Sequence, residues 1–179
     1  MFKKILVAVA IVIGGILIIA AFQPDNFAIV RSATIGASPE VVFTQINDLH
    51  QFQSWNPWRK LDPAAKNTFS GAPAGTGAAF AWAGNNKIGE GSMTITESRP
   101  GELVRCRMDF LKPMASTATV EFTFKPQGGP TVVTWSMSGR NNFVSKIFCL
   151  FMNMDKMIGG SFEEGLAELK TIAEITAKK

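Results

Sequence analysis

Hydrophobic and polar positions divide this chain into three stretches of different period. From Ile5 to Phe22 there is no charged residue and almost no polar one. As a helix these residues measure roughly 27 Å, enough to cross the hydrocarbon core of a bilayer. Further on the period falls to two. Alternation predicts strands at 27–35, 77–83, 88–97, 103–111, 115–125 and 131–139, with a weaker one near Thr68. Gly84-Asn85-Asn86, Arg99-Pro100-Gly101, Lys112-Pro113 and Gln127-Gly128-Gly129-Pro130 supply turns between them. No insert is long enough for a parallel crossover, so the sheet is an antiparallel meander of six or seven strands.

Helical spacing marks the rest. Ser38-Pro39-Glu40 opens a helix carrying Val42, Ile46 and Leu49, and a second short one carries Phe52, Trp55 and Trp58, interrupted by Pro57. Residues 143–158 are apolar nearly all round. Ile158, Phe162, Leu166, Leu169, Ile172 and Ala173 then form one stripe of a final helix, with Gly159-Gly160 as a possible kink and Asp155 as a candidate N-cap. The expected fold class is α+β: a curved antiparallel sheet of six to seven strands wrapped on a long C-terminal helix, preceded by one transmembrane helix.

The alternation gives the sheet one greasy and one wet face. Six or seven strands span roughly 24–29 Å, whereas a helix is about 10–12 Å wide. A single helix leaves part of the greasy face bare, so the pattern predicts a partly open cavity, against the alternative of a fully packed core. Its expected lining is Trp55, Trp58, Trp82, Met93, Met108, Phe110, Phe122, Trp135 and Met137, with Phe151, Met154, Asp155 and Ile158 from the C-terminal part. Tryptophan brings wide apolar surface with one donor, and methionine adapts its shape to a guest.

Composition sharpens this. Fourteen Phe and no Tyr favour apolar burial over hydroxyl-based recognition. The net charge of +4 includes two lysines before the apolar run and two at the end; no basic stripe interleaves with aromatics, which argues against nucleic acid. Lys3 and Lys4 place the N-terminus in the cytoplasm and residues 27–179 outside the inner membrane. The apolar run is long for a signal peptide, and Ile19 stands at −3 for cleavage after Ala21, so residues 1–26 read as an uncleaved single-pass anchor and linker, with a cleaved signal as the alternative. The apolar 143–158 segment is expected to act as a lid or to touch the bilayer.

Chemistry is sparse. His50 is the only histidine and follows a helix end, which suits a capping or surface role. One His and two Cys offer no metal or cofactor set; Cys106 and Cys149 read as small buried hydrophobes rather than a disulfide. Glu90, between two glycines, suggests a bulge with its carboxylate on the wet face, and Arg140 suits a solvated turn.

Ser38-Pro39-Glu40-Val41-Val42-Phe43, Ile46-Asn47-Asp48-Leu49 through Trp55-Asn56-Pro57-Trp58, Gly89-Glu90-Gly91-Ser92-Met93 and Met154-Asp155-Lys156-Met157-Ile158-Gly159 resemble the SRPBCC superfamily of START-like and birch-pollen-allergen-like domains. More narrowly, residues 27–179 resemble bacterial polyketide cyclase/dehydrase and lipid-transport proteins. The resemblance implies a helix-grip fold with a hydrophobic cavity, without implying a reaction. The function expected is a membrane-anchored binder of a lipid or other apolar small molecule, with no assigned catalytic residue. A cyclase- or dehydratase-like enzyme and a membrane-associated protein-interaction module are the alternatives.

Overall fold

The computed structural model describes residues 2–178. In chain order it contains α1 (Phe2–Ala21), β1 (Asn26–Ile35), α2 (Pro39–Asn47), α3 (Leu49–Trp55), a 3-10 turn (Pro57–Lys60), β2 (Lys66–Gly71), β3 (Ala78–Ala83), β4 (Glu90–Arg99), β5 (Leu103–Lys112), β6 (Ser116–Pro126), β7 (Thr131–Arg140), α4 (Phe143–Phe151) and α5 (Met154–Thr176). The strands form one antiparallel sheet in the order β1-β7-β6-β5-β4-β3-β2. β2 to β7 are the meander that the alternation predicts. β1 joins its far side, with Phe27 opposite Gly139 and Ile35 opposite Thr131. The result is the helix-grip arrangement, with the sheet curled against α5.

The concave face and α5 share a core dominated by aromatic rings. Phe162, Leu166, Leu169 and Ala173 are the buried stripe of α5. Trp135 stacks on Phe162 with centroids 4.1 Å apart, Phe122 lies 4.9 Å from Trp135, and Trp55 meets Trp135 edge-on at 5.6 Å. At the other end α2 covers β5 and β6, where Phe43 sets its edge against Phe124.

The C-terminal apolar stretch departs from the sequence expectation. It breaks at Met152 and Asn153 into two helices, and the Asn153 side chain, not Asp155, caps α5 by accepting from the Lys156 N–H at 2.9 Å. Gly159-Gly160 produces no break, since α5 runs continuously from Met154 to Thr176. Gly159 is buried beneath the Arg31 guanidinium, which a Cβ there would overlap. Arg31 reaches from β1 to Asp155 at 2.9 Å and Glu163 at 2.6 Å, clamping the edge strand to α5.

That clamp is acid-sensitive. Hydrogen bonding from Arg31 holds Asp155 below its ordinary value near 3.8. A carboxylate depressed in the folded state stabilises fully above that value and loses its contribution as pH falls through the lower folded one. Glu174, which accepts from Lys170 and the Gly36 N–H, is lowered likewise. Protection against amide exchange in β1 and α5, taken relative to the intrinsic exchange rate at each pH, is therefore expected to be unchanged from neutral pH to about 5 and to fall below about 4.

α1 is long and apolar enough to cross a membrane. Ala20 near its end is fully buried, and α1 makes contact with α4. In the linker between α1 and β1, Asp25 pairs with Lys146 of α4.

Candidate functional site

Burial along the greasy face is uneven. On β5, Val104 and Cys106 are 0% and 1% exposed, whereas Met108 and Phe110 on the same face are only half-buried. On β3, Phe80 is buried and Trp82 half-buried; on β1, Ile29 is buried and Phe27 half-buried. Strand register brings these residues together. Met108 faces Met93 and Ala118, Phe110 faces Gly91, and Gly91 faces Trp82. Ala118 faces Gly139, which faces Phe27, so the half-buried patch lies at the end of the sheet where β1 begins.

The helices explain why that end is open. α5 is fastened to β1 from Arg31 to Gly36, and α2 lies over the opposite ends of β5 and β6. α4, the remaining C-terminal helix, turns away to meet α1. The β4–β5 pair bends here: Glu90 faces Lys112 but Gly91 faces Phe110, leaving Leu111 unpaired and 61% exposed. Glu90 stays on the outer face, bonded to Lys112 at 2.7 Å. Gly91 has no side chain because the Trp82 ring occupies that space. The Trp82 indole N–H donates to the Ile88 carbonyl at 3.1 Å, and its ring meets Phe110 edge-on at 6.1 Å.

The expected lining residues thus separate into groups. Trp82, Met108 and Phe110 form the open apolar end. Trp55, Met93, Phe122, Trp135 and Met137 are at most 5% exposed and belong to the packed centre. The cavity expected between the middle of the sheet and α5 is filled by their side chains together with Phe162. Curling of the sheet and the pair α2–α3 supply the cover that one helix of limited width could not. Trp58 is half-buried, edge-on to Trp135 and Phe162. Ile158 and Met154 are half-buried at the start of α5. Phe151 is 70% exposed because α4 does not lie over the sheet, and Asp155 is exposed and held by Arg31.

Clefts also lie outside this interior. One of about 220 Å³ sits between α3 and the β2–β3 hairpin, where His50 stacks on Phe69 at 3.7 Å. Another, about 420 Å³, runs along the starts of β6 and α4, lined by Ser116, Thr117, Ser138, Arg140 and Asn142.

Polar chemistry on the concave face is minimal. Along the paired strands its ionisable side chains are Arg31 and Cys106. Arg31 is committed to α5, and burial pushes the Cys106 thiol up to about 12, which leaves it protonated. Cys106 and Cys149 are both free. Among the described residues no three His, Cys, Asp or Glu side chains converge as metal ligands. Among the described residues, the Trp135 Nε1–H and the Gln45 Oε1 are buried without a hydrogen-bond partner. An orphaned buried polar group costs about 1–3 kcal/mol.

Arg31 escaped the sequence reading, although a signal was present. It is the one charge at the inward parity Phe27, Ile29, Arg31, Ala33, Ile35.

The profile of the family described as polyketide cyclase / dehydrase and lipid transport matches residues 26–174. No curated protein matches the sequence. Solved structures share the fold at low identity. A protein of Chromobacterium violaceum is 15% identical with a TM-score of 0.58, over 84% of this chain and 99% of that one. The Aha1 dimer protein of Colwellia psychrerythraea is 17% identical with a TM-score of 0.58, over 83% and 97%. The di-domain ARO/CYC StfQ of the steffimycin biosynthetic pathway is 10% identical with a TM-score of 0.61, over 87% of this chain and 53% of that one.

Proposed function

The chain belongs to the polyketide cyclase/dehydrase and lipid transport family, and from that premise we propose that it is a membrane-anchored binding domain for an apolar small molecule or lipid, held over Trp82, Met108 and Phe110. The observation that carries this reading is the half-buried apolar patch at the β1-start end of an otherwise close-packed concave face. Apolar surface left against water at the mouth of such a sheet gains about 25 cal/mol per Å² when a guest covers it. Entry there brings a ligand toward Met93, and a guest carrying a carbonyl that displaced the central rings would find the orphaned Trp135 N–H as its donor.

Binding is favoured over turnover because the two ionisable groups of that face are engaged or protonated. α1 is read as an uncleaved single-pass anchor in the inner membrane, with Lys3 and Lys4 inside and residues 27–179 outside. The linker from Phe22 to Asp25 reaches about 13 Å at most, so the domain stays close to the bilayer.

Full-length protein purified in mild detergent and examined by native mass spectrometry is expected to carry a co-purifying apolar molecule. Met108→Asp with Phe110→Asp should abolish the adduct while the circular dichroism spectrum is kept. Unchanged occupancy in that variant would refute the assignment of the site.

A further inference from the structure

α4 has its polarity reversed. In a helix at a protein surface, charges face water and apolar residues face the core. Here Lys146 is the buried residue, 9% exposed and paired with Asp25 of the linker. Outward stand Val144, Phe148, Phe151 and Met152, at i, i+4, i+7 and i+8, with exposures of 47%, 54%, 70% and 43%. Water is a poor solvent for such a face, and an exposed stripe of this kind marks a surface built for another medium.

The neighbours of α4 say which medium. It contacts α1, whose lipid-length apolar surface is exposed along nearly its whole length, and Ala20 at the end of α1 is fully buried. The stripe therefore sits on a helix that packs against α1 rather than on a remote part of the domain. Lys146 is turned inward to the linker acid. On the reading of α1 as a membrane span, we infer that α4 lies in the outer boundary of the bilayer with its Val144–Phe148–Phe151 stripe among the acyl chains, a second and monotopic contact with lipid. It fixes the orientation of the domain on the membrane at a second point beside the single span. The starts of β6 and α4 share the 420 Å³ cleft, so the same orientation brings the β5–β6 turn, and exposed Leu111 at the end of β5, to the bilayer side.

The test uses full-length protein in phosphatidylcholine vesicles, with Cys149→Ser and single labelling sites at Val144→Cys, Phe148→Cys, Phe151→Cys, Ser145→Cys and, in α1, Ile11→Cys. Cys106 is 1% exposed and stays unlabelled. An environment-sensitive fluorophore on the three stripe positions is expected to emit blue-shifted light and to be quenched by spin-labelled acyl chains, with much weaker quenching at Ser145. Quenching at Ile11 with none on the stripe overturns the inference and leaves the anchor standing. No quenching at either overturns both. Self-quenching on the stripe that needs labelled neighbours and ignores the spin-labelled lipid also overturns it, assigning the face to a second copy.

Discussion

Alanine at position 135 is expected to cost the protein about 3–5 kcal/mol. Trp135 is 1% exposed and touches every layer of the core: Phe162 of α5 stacked at 4.1 Å, Phe122 of β6 at 4.9 Å, Trp55 of α3 at 5.6 Å and Trp58 of the 3-10 turn at 5.9 Å. Its removal leaves a hole that helices fixed at several points cannot close. Phenylalanine should cost far less. It loses part of the ring contact but also deletes the orphaned Nε1–H, whose burial already costs about 1–3 kcal/mol. Denaturant unfolding of the full chain in micelles measures both. An alanine variant within about 1 kcal/mol of the parent would mean that the centre is an open cavity, as the width of the sheet alone suggests.

Adjacent glycines in α5 are expected to respond in opposite senses. Gly160→Ala puts a Cβ into open space and should stabilise by up to about 1 kcal/mol through helix propensity. Gly159→Ala drives its Cβ into the Arg31 guanidinium. The arginine side chain is 23% exposed and bonded to two carboxylates, so moving it breaks pairs as well as packing. The expected loss is about 1–3 kcal/mol. In an Arg31→Met background the Gly159→Ala penalty should shrink markedly, which the double-mutant cycle reads directly. Equal effects at both glycines would contradict the clamp.

The meander was legible in the sequence because period-two alternation and turn residues are local signals. Each predicted strand between 77 and 139 matches an observed one to within two residues at either end. The pairing of β1 with β7 was not legible, since it joins residues about a hundred positions apart and local pattern carries no trace of it. The α4–α5 break was hidden for a different reason. Met152 continues the apolar run, and the signal is the single cap Asn153. Trp82, Met108 and Phe110 could be placed on the greasy face by parity. Parity does not say how far along a strand the cover extends, so Trp55 and Trp135 looked like equally good lining. The cover is set by where α5 starts relative to Arg31, which depends on the edge-strand pairing.

The most direct test of the open apolar end uses methyl-labelled methionine, because the residues fall in each environment: Met93 and Met137 buried, Met108 half-buried in the patch, and Met152 and Met157 exposed on the helices. Full-length protein in nanodiscs, titrated with a polycyclic aromatic ketone, is expected to shift the Met108 methyl first and Met93 next in a saturable manner, with no saturable shift at Met152 or Met157. Saturable shifts confined to the helical methionines, or none at Met108, would contradict the account.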